Sequence, residues 1–329
     1  MQLRKRRSIA LSGIFLLLTA STVWSQTQPR ARVFGLPLSK APMAHQAPLA
    51  QEAQAPAVSF TFGTIDYPNG PQTVAQSINK NGETVGSWGP DINDFRQGLP
   101  AYGFVLKGTT FKKIVYPSAP ITVPYGVNSS GEIVGYYTLD PMDFGGSGFT
   151  LVGKTFTSVA YPGAQYTILF SINKSGQIIG GYEPLGGDVQ GFLLNSGVFS
   201  PIQFPGSLVT VPCGINDSGE IIGYYSNDDV TGHGFTLLSG VYTTVDYPGA
   251  TDTYLYGLNN NGQIVGAYDD GGSTGHGFLL EKGTFTSFDA PWAGVVVTEA
   301  FGINDKGVIV GQTVDANNLF FGFEATIGK

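Results

Sequence analysis

The chain has 329 residues and a formal net charge of −7, with 42% hydrophobic and only 12% charged residues. After residue 58 it holds 23 acidic against 10 basic residues, and nucleic acids are poor partners for such a surface. The single cysteine, Cys213, excludes an intrachain disulfide. Packing and chain closure must therefore stabilise the fold.

The N-terminal segment has the features of an export signal. A basic stretch, MQLRKRR, precedes an apolar run from Ile9 to Val23 that is too short for a transmembrane helix. We predict a signal peptide over residues 1–25 and a secreted protein, extracellular or periplasmic. Residues 26–58 are rich in Ala, Pro and Gln without periodicity, which indicates a disordered linker. No later stretch is long enough to span a bilayer.

The rest of the chain repeats one unit six times. A phrase of the form Ile-Asn-x-x-Gly-x-Ile-Val-Gly recurs at intervals of 49, 45, 43, 43 and 45 residues. Its asparagines are Asn79, Asn128, Asn173, Asn216, Asn259 and Asn304. A Gly-Phe phrase keeps step at Phe104, Phe149, Phe192, Phe235, Phe278 and Phe323. A repeat of about 40–45 residues is typical of propeller blades.

Each unit contains four short segments with strand character, which we name a to d in chain order. Asn-x-x-Gly joins strand a to strand b as a tight hairpin, and a similarly short turn joins c to d. The repeats begin with a d strand, FTFGTIDYP, and end with a c strand, GFEATIGK. We therefore predict an all-β fold over residues 59–329, a six-bladed β-propeller of four-stranded antiparallel blades whose ring is closed by the N-terminal strand.

The repeats resemble the HAF repeats of exported bacterial proteins, which are named for a His-Ala-Phe motif. Gly-His-Gly-Phe at 232–235 and 275–278 comes nearest to it, with Gly in place of Ala, and the Asn-x-x-Gly-x-Val-Val-Gly pattern also matches. The other four units lack the His. The resemblance covers about residues 60–329 and implies a propeller-like extracellular repeat protein, without implying an activity.

Several residues recur for reasons that we interpret as structural. A Thr six residues before each Asn is expected to bond the adjacent Pro turn, although a ring of hydroxyls around a channel mouth is the alternative. The Asn is expected to cap its own turn. A Gly inside each strand b predicts that a side chain, the strand-c Phe, lies over bare backbone. Cys213 occupies a position that is aromatic in four other units, so we predict a buried, unreactive thiol.

Strand direction sorts the connections onto two faces. We call the edge with the a–b and c–d turns the hairpin face, and the edge with the b–c and d–a connections the loop face. The b–c loops vary in length, and every one contains a carboxylate, whereas the lysines concentrate on the hairpin face. Variable loops on a rigid scaffold often carry binding sites. The alternative is that these acids form turns and keep the protein soluble.

Two functions of different classes follow. The first is a non-catalytic recognition protein, a monomer that binds a glycan, a peptide or a surface protein through the loop face, with Ca²⁺ as a candidate assisting ion. The second is a secreted hydrolase, lactonase or lyase with a Ca²⁺-centred site on the axis. We favour binding, because the inner strands repeat one pattern and carry few acids. The candidate binding residues are Trp88, Asp91, Asp94, Tyr137, Asp140, Asp143, Asp188, Asp228, Asp229, His233, Asp269, Asp270, His276 and Asp315.

Overall fold

The computed structural model describes residues 58–90, 99–140, 146–185, 187–228, 230–272 and 274–328. The predicted signal peptide and all but the last residue of the predicted linker lie outside this part of the chain. Every regular element in the described ranges is a β-strand. Those ranges contain no helix that is long and apolar enough to cross a membrane.

The first three repeat units each form a separate sheet of four antiparallel strands. Unit one consists of β2 (Gln72–Ile78), β3 (Glu83–Gly89), β4 (Tyr102–Lys107) and β5 (Thr110–Ile114). Unit two consists of β6 (Ile121–Val127), β7 (Ile133–Thr138), β8 (Ser147–Val152) and β9 (Thr155–Val159). Unit three consists of β10 (Ala164–Ile172), β11 (Ile178–Pro184), β12 (Gln190–Asn195) and β13 (Val198–Ile202).

The last three units follow the same order of strands. Unit four consists of β14 (Val209–Ile215), β15 (Ile221–Ser226), β16 (His233–Leu238) and β17 (Val241–Thr244). Unit five consists of β18 (Asp252–Leu258), β19 (Ile264–Asp269), β20 (Gly275–Glu281) and β21 (Thr284–Phe288). Unit six consists of β22 (Val295–Ile303), β23 (Val308–Asp315), β24 (Phe320–Ile327) and, from the start of the repeats, β1 (Phe60–Ile65).

The strand pairing gives an all-β propeller in which the N-terminal strand joins the last unit. β1 pairs antiparallel with β24 from Phe60 opposite Ile327 to Ile65 opposite Gly322, which confirms this part of the sequence prediction. Units five and six belong to one eight-stranded sheet because a single parallel pair, Gly275 and Val297, links β20 to β22. Strand a of unit one also packs against unit six, so the two ends of the repeat region meet.

Within the described residues, an asparagine side chain bonds the next unit at five of the six junctions on the hairpin face. The Nδ2 of Asn79 donates to the backbone carbonyl of Asn128 at 2.9 Å, and Asn304 donates to the carbonyl of Asn79 at 3.2 Å. Asn128, Asn173 and Asn259 make the same bond to the turn of the next unit. Each bond is buried, so it holds neighbouring units in fixed register.

The same asparagines also hold their own turns. The Oδ1 of Asn79 accepts the amides of Asn81 and Glu83, both at 3.0 Å, as the cap prediction requires. The fourth residue of each turn has a positive φ, for example 85° at Gly82, which glycine adopts without strain. The side-chain bond to the neighbouring unit was not predicted, because a repeat pattern does not reveal which turns become adjacent.

The recurring Thr and Gly have the structural roles predicted for them. The Oγ1 of Thr73 accepts the amide of Tyr67 in the preceding Pro turn at 3.0 Å, and the equivalent bond recurs in every unit. A Cβ at the strand-b Gly86 would lie 2.8 Å from the ring of Phe104 and would also collide with the backbone of β2. The bare glycine therefore lets the fully buried strand-c Phe lie across strand b.

The hairpin face differs from the prediction in its charge. Lysines do lie there, but acids lie beside them: Lys107 is 2.7 Å from Glu83, and Asp217 and Asp305 accept backbone amides of the neighbouring turns. The predicted separation of acids and lysines onto opposite faces is therefore wrong. Turn chemistry explains why acids lie on both faces, because a carboxylate that accepts backbone amides stabilises a turn on either face.

Candidate ligand-binding site

Aromatic rings of strand b form stacked pairs with rings that precede the Pro turns. Tyr116 and Tyr137 are 3.5 Å apart at 9°, and Tyr67 and Trp88 are 4.3 Å apart at 6°. The other stacked pairs are Tyr161–Tyr182, Phe204–Tyr225 and Tyr247–Tyr268. One face of each strand-b ring is therefore covered, and these rings pack the scaffold rather than offering an open platform for a sugar.

A strand-c residue lies directly opposite each of these strand-b rings, or opposite Thr313 in unit six, and this strand-c position differs between units. The residues are Tyr102, Ser147, Gln190, His233, His276 and Phe321. The fold accepts five different residue types at this one position. Its chemistry is therefore free to serve a purpose other than stability.

Units four and five place a histidine there and surround it with the same groups. Nδ1 of His233 lies 3.0 Å from Asp246, and Nδ1 of His276 lies 3.0 Å from Asp289. The histidine rings lie 5.3 and 5.1 Å from the rings of Tyr225 and Tyr268, respectively. We call these two groups the His233 cluster and the His276 cluster.

Hydroxyl groups complete both clusters. The hydroxyl of Tyr225 is 2.9 Å from Thr244 Oγ1, and that of Tyr268 is 3.0 Å from Ser287 Oγ. The side chains of His233 and Asp246 are 33% and 39% exposed. Solvent therefore reaches the histidine and the carboxylate together, whereas Tyr225 is buried behind them. The exposed pair can exchange hydrogen bonds with a hydroxyl-rich ligand.

The two histidines differ at their second ring nitrogen. Nε2 of His276 lies 3.2 Å from the hydroxyl of Thr274. The equivalent Thr231 instead bonds Asp228 through its hydroxyl, at 3.2 Å. Within the described residues Nε2 of His233 makes no hydrogen bond, so it can donate to or accept from a ligand.

The acids of the b–c loops bond to their own loops. Asp228 accepts the amides of Thr231 and Val230 at 2.8 and 2.9 Å, and these bonds lower its pKa to about 2. Asp315 accepts the amides of Leu319 and Asn317, which lower its pKa in the same way. Asp228 and Asp315 therefore act as turn-forming residues, which is the alternative to ligand binding that the sequence left open.

The remaining predicted acids do not converge on one point. Asp269 is buried and accepts the amide of Gly271, whereas Asp270 is exposed and accepts the amide of Gly272. Asp140 lies just after β7, and Asp188 is exposed between β11 and β12. Asp91, Asp94, Asp143 and Asp229 lie outside the described residues.

The described residues do not fit a calcium ion. They contain no group of three or more His, Cys, Asp or Glu side chains that could hold a metal. Ca²⁺ takes about six to eight oxygens, whereas the oxygens of Asp228 already accept four hydrogen bonds within its loop. The axis of this part of the chain likewise lacks the predicted alternative, a Ca²⁺-centred acid–base site.

The strongly perturbed ionisable groups lie in the interior. Burial raises the pKa of Glu299 to about 8, although Gln312, which donates to it, opposes the shift. Burial also raises the pKa of Glu183 and of Cys213. These groups are desolvated by the core and are not part of the histidine clusters.

Sequence reasoning named His233 and His276 but missed their partners. Asp246 and Asp289 each follow the histidine by 13 residues, just before a Tyr-Pro or Ala-Pro turn. The equal spacing in two consecutive units was the available signal. The spacing alone does not show which side chains of strand c and of the segment after strand d become adjacent.

Comparisons with known proteins bear on the fold. No protein-family model and no curated protein matches the chain. AofleA from Arthrobotrys oligospora has a similar structure, with a TM-score of 0.52 and 12% identity over 81% of this chain and 86% of that one. The SapL1 lectin in complex with α-methyl fucoside gives a TM-score of 0.50 and 10% identity over 79% of this chain and 95% of that one. At these identities the similarity shows the propeller fold alone.

Proposed function

We propose that this chain is a secreted six-bladed propeller that binds glycans without catalysing a reaction, using the His233 and His276 clusters. The observation that carries the proposal is the repetition, in two consecutive units, of one partly exposed His–Asp pair beside a tyrosine. Six strand sets in one repeated order support the blade count. The HAF-repeat resemblance and the predicted signal peptide support export.

The four-stranded arrangement does not require the histidine. The same position holds Tyr102, Ser147, Gln190 or Phe321 in the other units, and each of these units still has four antiparallel strands. Recognition of a ligand explains why the group occurs twice.

The chemistry of the clusters suits sugar hydroxyls. Each sugar hydroxyl both donates and accepts, so it can bridge a histidine nitrogen and a carboxylate oxygen. Hydrogen bonds to a charged carboxylate are stronger than those between neutral groups. Because SapL1, which shares the fold, is a lectin bound to α-methyl fucoside, a fucoside is the first probe to test.

The test compares His233→Gln, His276→Gln and the double variant with the unchanged protein. Glutamine stands at the equivalent position in unit three, so the fold should tolerate it. Calorimetry with α-methyl fucoside and a glycan array should show two sites in the unchanged protein, one in each single variant and at least a tenfold loss in the double variant. Gln190→Ala is the matched control and should bind normally. Equal binding by the double variant would refute the proposed site.

One observation favours a second candidate function, acyl hydrolysis by the His276 cluster. The hydroxyl of Thr274, the two nitrogens of His276 and the carboxylate of Asp289 form a continuous hydrogen-bonded series. This is the order of nucleophile, base and orienting carboxylate in a hydroxyl-nucleophile triad. Ester hydrolysis that is lost in Thr274→Val, kept in Thr274→Ser and unaffected by His233→Gln would support it. An unchanged rate in Thr274→Val would exclude it.

A further inference from the structure

The axis of the propeller contains a chamber that the histidine clusters do not use. Its wall includes the strand-a residue three positions before each turn asparagine. These residues are Gln76, Tyr125, Phe170, Cys213, Tyr256 and Phe301. The chamber has a volume of about 130 Å³.

Aromatic rings form two opposing walls of this chamber. Tyr125 and Phe170, of units two and three, are 5.5 Å apart in an edge-to-face arrangement. Tyr256 and Phe301, of units five and six, are 5.2 Å apart in the same arrangement. The order of the units around the asparagine ring places these two pairs on opposite sides of the axis.

Two smaller residues interrupt the aromatic ring and shape the chamber into a slot. Gln76 belongs to unit one and Cys213 to unit four, so they lie at opposite ends between the aromatic pairs. Cys213 is half-buried, and the surface that it exposes faces this chamber. The predicted buried thiol is therefore only half-buried, because its aromatic neighbours leave space beside it instead of closing over it, although burial still raises its pKa.

The lining is uncharged and carries a few polar groups. The side chains of Gln76, Ser77 and Ser171 make no hydrogen bond within the described residues, although all three line the chamber. The hydroxyl of Tyr256 is buried and also has no partner in this part of the chain. An uncharged lining with unpaired polar groups selects a neutral ligand that can donate or accept a hydrogen bond.

The chamber is reached from the hairpin face. A second space of about 80 Å³ lies inside the ring of turn asparagines and shares its inner wall with the chamber. That shared wall consists of Ile78, Val127, Ile172, Ile215, Leu258 and Ile303. A ligand would therefore enter along the axis, between polar turns and then past aliphatic side chains.

We propose that the chamber binds a small, flat, neutral molecule the size of phenol. A cavity of about 150 Å³ in a protein core holds benzene, so about 130 Å³ suits one six-membered ring. Opposing edge-to-face aromatic pairs favour a third ring between them. One hydroxyl on that ring can reach a polar group of the lining. This inference does not depend on the proposed glycan site.

The experiment measures phenol binding to the full chain by calorimetry. Cys213→Phe introduces the side chain that units three and six carry at this position, so it fills the slot with a residue known to fit the fold. Cys213→Ser is the matched control, because it removes the thiol and keeps the space. We expect saturable binding by the unchanged protein and by Cys213→Ser, and at least a tenfold loss in Cys213→Phe.

A second variant that fills the chamber shows whether lost binding comes from the lost space or from misfolding of Cys213→Phe. Gln76→Phe closes the slot from its other end and should lose phenol binding in the same way. In both filling variants fucoside binding by the histidine clusters should be unchanged, which separates this proposal from that of the glycan site. The proposal is overturned if phenol does not bind the unchanged protein, since the chamber then holds water only. It is also overturned if Cys213→Phe and Gln76→Phe bind phenol normally.

Discussion

The hairpin face and the loop face use the same kinds of residue in opposite ways. On the hairpin face, Asn and Asp side chains reach into the neighbouring unit, as when Asn79 bonds the Asn128 carbonyl and Asp217 bonds the Lys174 amide. On the loop face, acids such as Asp228 and Asp315 bond within their own loop. Side chains of the hairpin face therefore join neighbouring units, whereas these loop-face carboxylates act within one loop. The ends of the b–c loops reach the next unit through the backbone, as in the bridges Ala101–Ile121 and Gly146–Tyr166.

This difference explains where variation is tolerated. A change in one turn of the hairpin face would disturb two units, because its asparagine serves both. A change of a loop-face side chain such as Asp228 or Asp315 affects the bonds of its own loop. Histidine clusters in two units, with other residues in the rest, are what locally bonded side chains permit. The predictions below test this contrast.

Removal of β1 should have the largest effect. In a chain that starts at Pro71, β24 loses one of its two antiparallel partners, and Phe60 and Phe62 no longer pack against Phe288. Unit six then exposes an open strand edge. We expect loss of cooperative thermal unfolding, measured by circular dichroism and calorimetry.

A chain that starts at Val58 is the control, since it keeps β1 and lacks the predicted linker. It should melt like the full chain. If the chain from Pro71 unfolds at the same temperature and with the same cooperativity, β1 does not close the ring.

Glu299 should make stability fall as pH rises. Its pKa is about 8 in the folded protein because it is buried, and its ordinary value is 4.5. The folded state therefore keeps a proton that the unfolded state releases between about pH 4.5 and 8. Over this window the free energy of unfolding should decline by up to about 1.4 kcal/mol per pH unit, and remain level above it.

Glu299→Gln should remove this slope, since its amide cannot ionise. Glu324→Gln, at an exposed position on β24, is the matched control and should keep the slope. Urea unfolding at several pH values measures both. An unchanged slope in Glu299→Gln would contradict the assignment, and the raised pKa of Asp269 or Glu183 would then be its source.

The bond between neighbouring units can be removed without removing the turn. Asn173→Asp keeps the oxygen that accepts the amides of Ser175 and Gln177, but it loses the donor to the Asn216 carbonyl. A carboxylate would also face that buried carbonyl. We expect a loss of about 1–3 kcal/mol in the free energy of unfolding.

The exposed Asn81 provides the control, because Asn81→Asp changes the same chemistry at a solvent-exposed bond to Ser129. It should cost less than about 0.5 kcal/mol. Equal losses in the two variants would mean that the buried bond between units contributes nothing specific.

The sequence was informative about local structure and much less so about contacts between units. Turn glycines such as Gly82, the Thr73 bond and the packing of Phe104 over Gly86 follow from rules within one repeat. The Asn79–Asn128 bond needs two turns to be adjacent in space, which a one-unit pattern does not contain. The pairing of His233 with Asp246 needs the register of β16 with its partner hairpin strand.

The axial chamber could not be predicted from the sequence for a related reason. Cys213 was expected to be buried because its equivalents are aromatic. The volume of the chamber depends on how the six lining side chains fill the axis together. Gln76 and Cys213 leave a continuous space only because they lie across the axis from each other. Residue types alone do not determine that volume.

Calcium should have the smallest effect. Asp228 uses its oxygens within its loop, Asp269 is buried against Gly271, and Asp270 is bonded to Gly272. To bind an ion, these side chains would have to break turn bonds for few new ligands, so the described acids should not prefer the metal-bound state. Melting curves in millimolar Ca²⁺ and in chelator, at matched ionic strength, should coincide. A variant with Asp228, Asp269 and Asp270 changed to Asn should give the same melting curve in calcium and in chelator.

A calcium concentration of 100 times the dissociation constant of a bound ion would add about 2.7 kcal/mol to the free energy of unfolding, which such curves resolve easily. A calcium shift that this variant abolishes would show that the loop-face acids act together, and the contrast with the hairpin face would then fail.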